Sequence, residues 1–154
     1  MNCCFTGHRN VLITDDLMKR LENELIKLIQ DGFTDFYAGG AAGWDMLCGK
    51  MVIKLREIYP VRLNIILPCR FEQHTLKWDQ QQKDELEKLI SLSDNVEIIS
   101  EFYTDSCIKL RNHRLVSASS CCVCYYNKNR FRSGTGQTIR MAENKGIPVI
   151  NLHL

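Results

Sequence analysis

The sequence is short of charge of one sign, of long apolar runs and of simple-sequence segments, and each shortage removes a class of function. Its 20 lysines and arginines face 18 acidic residues, for a formal net charge of +2. That is not the strongly basic balance of a dedicated nucleic-acid binder, so any anion site must be a local cluster. No apolar run approaches the roughly 20 residues that span a bilayer. Met1-Asn2 leads directly into Cys3-Cys4-Phe5, without the basic stretch and apolar core of a secretory signal. A cytoplasmic protein with no membrane partner is expected. Linkers, internal repeats and low-complexity tracts are missing too, and 154 residues suit a single domain over 1–154.

What remains is a globular composition, 45% hydrophobic and 25% charged, with eight cysteines. In a reducing compartment these read as thiols packed like small hydrophobes. Cys121-x-x-Cys124 lies within Cys121-Cys122-Val123-Cys124-Tyr125-Tyr126, an apolar run that reads as a strand. Positions three apart in a strand face opposite sides, and no second CxxC follows. Neither a bridge nor a metal site is expected there.

Short β-like runs alternate with longer helical ones. Strands are expected at about 2–6, 33–38, 61–67, 95–100, 119–126 and 147–152. The first helix starts near Thr14, with Asp15 and Asp16 in its first turn, and Leu17, Leu21, Leu25 and Leu28 mark its apolar face up to Gly32. The second opens after 39–43 and buries Trp44, Leu47, Met51 and Leu55. Others are expected at 74–92, 106–117 and 136–144, with Trp78 in the core. This alternation implies βαβ units: an α/β, Rossmann-like, doubly wound and mostly parallel sheet of about six strands, with helices on both faces.

Such sheets bind ligands outside the carboxyl ends of the strands, near the point where strand order reverses. Four loops at those ends hold the unusual residues: Thr6-Gly7-His8-Arg9, then Gly39-Gly40-Ala41-Ala42-Gly43-Trp44-Asp45, then Pro68-Cys69-Arg70-Phe71-Glu72-Gln73, and the stretch from Asn127 to Thr138. Glycines admit close approach to a phosphate, and free N–H groups at a helix start favour anions. Lys128, Arg130 and Arg132 crowd the last loop, Arg9 lies across the same edge, and Ser133, Thr135 and Thr138 add hydroxyls. Neither glycine-rich loop is a dinucleotide GxGxxG or a Walker A sequence. Each feature has a plainer reading as tight-turn glycine, solvated basic loop, turn histidine or, for Asp45, helix-dipole acid. Cys69 has no base beside it to activate its thiol.

The ordered set Cys4-Phe5-Thr6-Gly7-His8-Arg9, Gly39-Gly40-Ala41-Ala42-Gly43-Trp44-Asp45, Pro68-Cys69 with Gln73 and Trp78, Arg111-Asn112, Ser133-Gly134-Thr135 with Thr138, and 145–151 resembles the YpsA-like branch of the SLOG superfamily. That superfamily includes the Smf/DprA DNA-processing proteins and the LOG hydrolases. The resemblance runs from Cys3 to Asn151. It implies a Rossmann-like fold and a pocket for a nucleotide-like ligand, lined by Gly7, His8, Arg9, Gly39, Gly40, Gly43, Asp45, Gln73, Arg111, Asn112, Ser133, Gly134, Thr135 and Thr138. Beyond that ligand it names no cofactor.

LOG hydrolases carry a glutamate where Thr138 stands here, and a hydroxyl does not replace a carboxylate in N-glycosidic cleavage. Glu72 or Asp45 would have to supply it. Three functions are therefore weighed. Binding or sensing of a nucleotide-like ligand comes first, N-glycosidic hydrolysis or transfer on a nucleoside monophosphate second, and DprA-like single-stranded DNA binding third. Oligomeric state is not legible, although domains of this type often pair through a helix face.

Overall fold

The computed structural model describes residues 1–129 and 134–154. Its strands are β1 (Asn2–Gly7), β2 (Asp35–Ala38), β3 (Arg62–Leu67), β4 (Asn95–Ile98), β5 (Cys121–Tyr125) and β6 (Val149–Asn151). The helices are α1 (Asp15–Gln30), α2 (Trp44–Arg56), α3 (Phe71–His74), α4 (Gln80–Leu92), α5 (Cys107–Ser117) and α6 (Gly134–Lys145). All six strands are parallel, in the order β4-β3-β2-β1-β5-β6. The chain adds strands on one side of β1 as far as β4 and then crosses to lay β5 on the other. Strand order therefore reverses between β1 and β5, the position where open α/β sheets take ligands.

Two cores confirm the double winding. On one face Cys3, Phe5, Cys121 and Val123 join Leu17, Leu21 and Leu25 of α1, Met51 of α2 and Leu86 of α4. On the other, Cys4, Cys122 and Cys124 pack with Leu115 of α5 and Ile139 and Ala142 of α6. Strand alternation thus sends Cys121 and Cys124 to opposite faces, and all eight cysteines are buried and unbridged. The α1 start follows its cap, with Thr14 accepting the Leu17 N–H at 3.1 Å. No helix among the described residues is long and apolar enough to cross a membrane.

The helix expected over 74–92 is corrected. The chain makes the single turn α3, bends through residues 75–79, and restarts as α4. The restart is a capping box: Asp79 accepts the Gln82 N–H at 2.8 Å, and the Gln82 side chain accepts the Asp79 N–H at 3.3 Å. The break leaves Trp78 half-buried on the rim of the larger core instead of within it. The last helix begins at Gly134, two residues before its expected start.

Candidate functional site

At the carboxyl end of β1 the backbone runs too close to its neighbours for side chains. A Cβ on Gly7 would lie 2.4 Å from Trp44 Cγ, and one on Gly43 would lie 2.1 Å from the Arg9 carbonyl oxygen. Gly43 also has φ +80°, which side-chain-bearing residues rarely adopt. Trp44 is fully buried, donates its backbone N–H to the His8 carbonyl at 3.1 Å, and lies 5.4 Å from the Tyr125 ring. It packs over the gap where strand order reverses. His8, expected from the family resemblance to line the pocket, is buried, and its Nε2 accepts the Asn127 N–H at 2.9 Å. The imidazole thereby links the turns after β1 and β5.

The loop between β2 and α2 is clamped from both sides. Asp45 Oδ2 accepts the N–H groups of Gly39 and Ala41, each at 3.2 Å. Arg111 Nη1 donates to the Gly39 carbonyl, and its Nε donates to Asn112 Oδ1 at 2.8 Å. His74 Nε2 bonds the Gly40 carbonyl at 2.8 Å. Burial pushes the Asp45 carboxyl up from its ordinary value, against the pull of Arg111, the two amides and Arg9. Burial also lowers Arg111, with Asp45 opposing. It drives His74 down to about 4, with Arg111 and Arg9 adding to the shift and the Gly40 carbonyl opposing it. His74 is therefore neutral near pH 7 and, facing a carbonyl, carries its proton on Nε2.

This clamp revises one expectation. The Gly39 and Ala41 amides are committed to Asp45, so they serve the loop and are not free donors for a phosphate. Two adjoining cavities lie beyond it. The inner, of about 460 Å³, is lined by Gly7, His8, Arg9, Asp45, Arg111, Asn112, Gly134 and Thr135, together with Asn10 and Ile108. The outer, of about 900 Å³, is lined by Arg9, Asn10 and Ile108 with Gln73, His74, Trp78, Gln82 and Tyr103. A smaller groove of about 290 Å³ between α2 and α4, bordered by Lys50 and Glu85, lies away from the strand ends.

The structure thus brings together most of the residues expected from sequence. Gly39, Gly40 and Gly43 shape the loop but do not line either cavity. Thr138 likewise lines neither cavity: it is fully buried, and its hydroxyl donates to the Gly134 carbonyl at 3.0 Å. Glu72 is exposed and borders neither cavity. Cys69 is buried and its thiol is pushed up by burial and by Cys107. Lys128 is exposed, while Arg130, Arg132 and Ser133 lie outside the described residues. Sequence reasoning missed Asn10, Ile108, His74 and Tyr103 as lining residues. Among the described residues no three His, Cys, Asp or Glu side chains converge as metal ligands would.

A parallel, doubly wound sheet with its cavities at the reversal of strand order defines a Rossmann-like α/β protein. The chain belongs to the YspA SLOG family, whose sequence model matches residues 4–151. It is 22% identical over 127 residues to a UPF0398 protein of Halalkalibacterium halodurans, covering 80% of this chain and 65% of that one. A UPF0398 protein of Listeria innocua is 27% identical over 78 residues, covering 51% and 42%. The match therefore spans less than two thirds of the length of either relative. Among solved structures, DNA processing protein A from Helicobacter pylori, described for its single-stranded DNA binding mode, superposes with a TM-score of 0.64 at 16% identity. That match covers 98% of this chain and 64% of the neighbour, and it shows a shared fold.

Proposed function

We propose that the joined cavities bind a nucleotide-like phosphorylated small molecule, with its phosphate beside Arg9. The observation that carries this reading is Arg9 itself. It is exposed where the two cavities meet, forms no ion pair among the described residues, and faces a cavity also lined by the first turn of α6. A guanidinium with no ion pair among the described residues and a helix start both favour a phosphate. The Thr138 hydroxyl and the Asp45 carboxylate are engaged in holding the fold, which favours binding over cleavage of a glycosidic bond. Eight unbridged thiols fit a reducing cytoplasm.

The half-open aromatic wall of the outer cavity supports a second reading, single-stranded DNA, since bases stack on such surfaces. A thermal-shift screen with nucleoside phosphates, sugar phosphates and a short oligonucleotide, checking products for released base, separates the alternatives. A mononucleotide at about 100 times its Kd should add about 2.7 kcal/mol, a rise of a few degrees. A shift with the oligonucleotide alone would favour DNA. Released base would make the protein an enzyme, and no shift with any anion would end the phosphate reading.

A further inference from the structure

The outer cavity has a chemistry of its own, built where the expected long helix is broken. Trp78 packs one side against the larger core, and its ring centroid lies 5.0 Å from His74 at an interplanar angle of 60°. Tyr103, 56% exposed, stands on the same cavity. Two glutamines bond to its backbone. Gln73 Oε1 accepts the Tyr103 N–H and joins α3 to the segment after β4, and Gln82 Oε1 accepts the Asp79 N–H at 3.3 Å.

Both partners are backbone donors, so each glutamine must turn its oxygen to them. The amide NH2 of each is left without a hydrogen bond among the described residues. Resting on the proposal of a phosphate beside Arg9, we infer that this alcove is the subsite for the ligand's nucleobase, a flat uncharged heterocycle stacked on Trp78 and presenting acceptor atoms to Gln73 and Gln82. His74, neutral with its Nε2 proton given to Gly40, adds no charge to that wall, whose cationic side chains are Arg9 and Lys77. Arg9, Asn10 and Ile108 border both cavities, so a phosphate in the inner one and a base in the outer one share one continuous space.

Trp44 is 0% exposed, so quenching by direct stacking of a base is open only to Trp78, the second of the two tryptophans. The test titrates the four common nucleoside 5′-monophosphates and ribose 5-phosphate into the full chain, Trp78→Ala and Trp78→Phe, reading emission for the wild type and calorimetry for all. At least one nucleotide should quench emission and bind about tenfold or more tighter than ribose 5-phosphate, the scale of one stacked base.

Trp78→Ala should abolish that preference and leave ribose 5-phosphate unaffected, whereas Trp78→Phe should keep most of it. The ratio of the two ligands within one variant is insensitive to lost folding, which weakens both alike. Equal binding of sugar phosphate and nucleotides by the wild type, or a preference unchanged in Trp78→Ala, overturns the base subsite and leaves the phosphate site standing. Binding by none of the five overturns both, and Arg9→Ala should weaken all of them.

Discussion

The inner cavity is framed by buried polar groups that grip the loop between β2 and α2, whereas the outer wall is aromatic and half-exposed, with two glutamines bonded to its backbone and Lys77 beside them. Around the inner one, Asp45 and Arg111 are each only 5% exposed and both converge on Gly39, where a Cβ would come within 2.9 Å of Asp45 Oδ2 and 2.8 Å of Arg111 Nη1. Little can change there without disturbing the fold. Around the outer one, Tyr103 and Leu76 stay mostly exposed, and side chains can vary at small cost to packing. The difference separates a frame that any ligand of this fold would meet from a surface that can select among ligands. If that division holds, substitutions in the frame should act on stability, and those in the wall on affinity.

The hardest blow to the frame is Gly43→Ala. It forces a side chain into φ +80° and against the Arg9 carbonyl, and should cost about 3 kcal/mol or more, seen as a lowered urea midpoint. A midpoint near that of the wild type would mean the loop can move away from Arg9. Next is Arg111→Met, which leaves the buried Asp45 carboxylate without its guanidinium and the Gly39 carbonyl without its donor. Removing the charge that offsets a buried carboxylate while leaving a buried carbonyl without its donor should cost about 3 kcal/mol. Adding Asp45→Asn should recover part of that loss, because no uncompensated charge then remains, and a purely additive double mutant would deny the coupling.

His74 joins the two regions and gives a smaller, pH-dependent effect. Its folded pKa of about 4 lies below the ordinary 6.5, so between those values the unfolded chain binds more protons. The contribution is complete above pH 6.5 and disappears as pH falls toward about 4, at no more than about 1.4 kcal/mol per pH unit. His74→Gln keeps a donor for Gly40 and should flatten this part of the stability profile. Parallel profiles for variant and wild type over that window would show that His74 protonates freely in the folded state.

Much of this division was legible in the sequence, and the rest was hidden for physical reasons. Period-two alternation was enough to send Cys121 and Cys124 to opposite faces, and Leu17, Leu21, Leu25 and Leu28 marked α1 by their spacing. The strand ends likewise assembled Gly7, Arg9, Asp45 and Gln73 at one edge, and the family resemblance added Arg111 and Asn112. The role of Asp45 was not visible, because an acid in a first helical turn looks the same whether it faces water or receives two loop amides. The break before α4 was written as Asp79-x-x-Gln82, but a run of Gln, Lys, Asp and Glu disguises a cap as helix interior. Reading through it placed Trp78 in the core and concealed the outer wall.

Thr138 gives the smallest effect and the sharpest test of where the frame ends. The family pattern groups it with ligand-contacting residues, yet its hydroxyl is fully buried and bonded to the carbonyl four residues earlier in α6. Thr138→Val keeps the shape and removes that bond. The change in stability should stay within about 1 kcal/mol, since one hydrogen bond contributes about that much and back-bonding within a helix competes with its regular ladder. Affinity for nucleoside monophosphates should hold to within about twofold, well below the loss expected for a charge-assisted or base-stacking contact. A tenfold loss of affinity without a loss of stability would put the hydroxyl in the ligand's reach, and the first turn of α6 would then belong to the variable wall as well as to the frame.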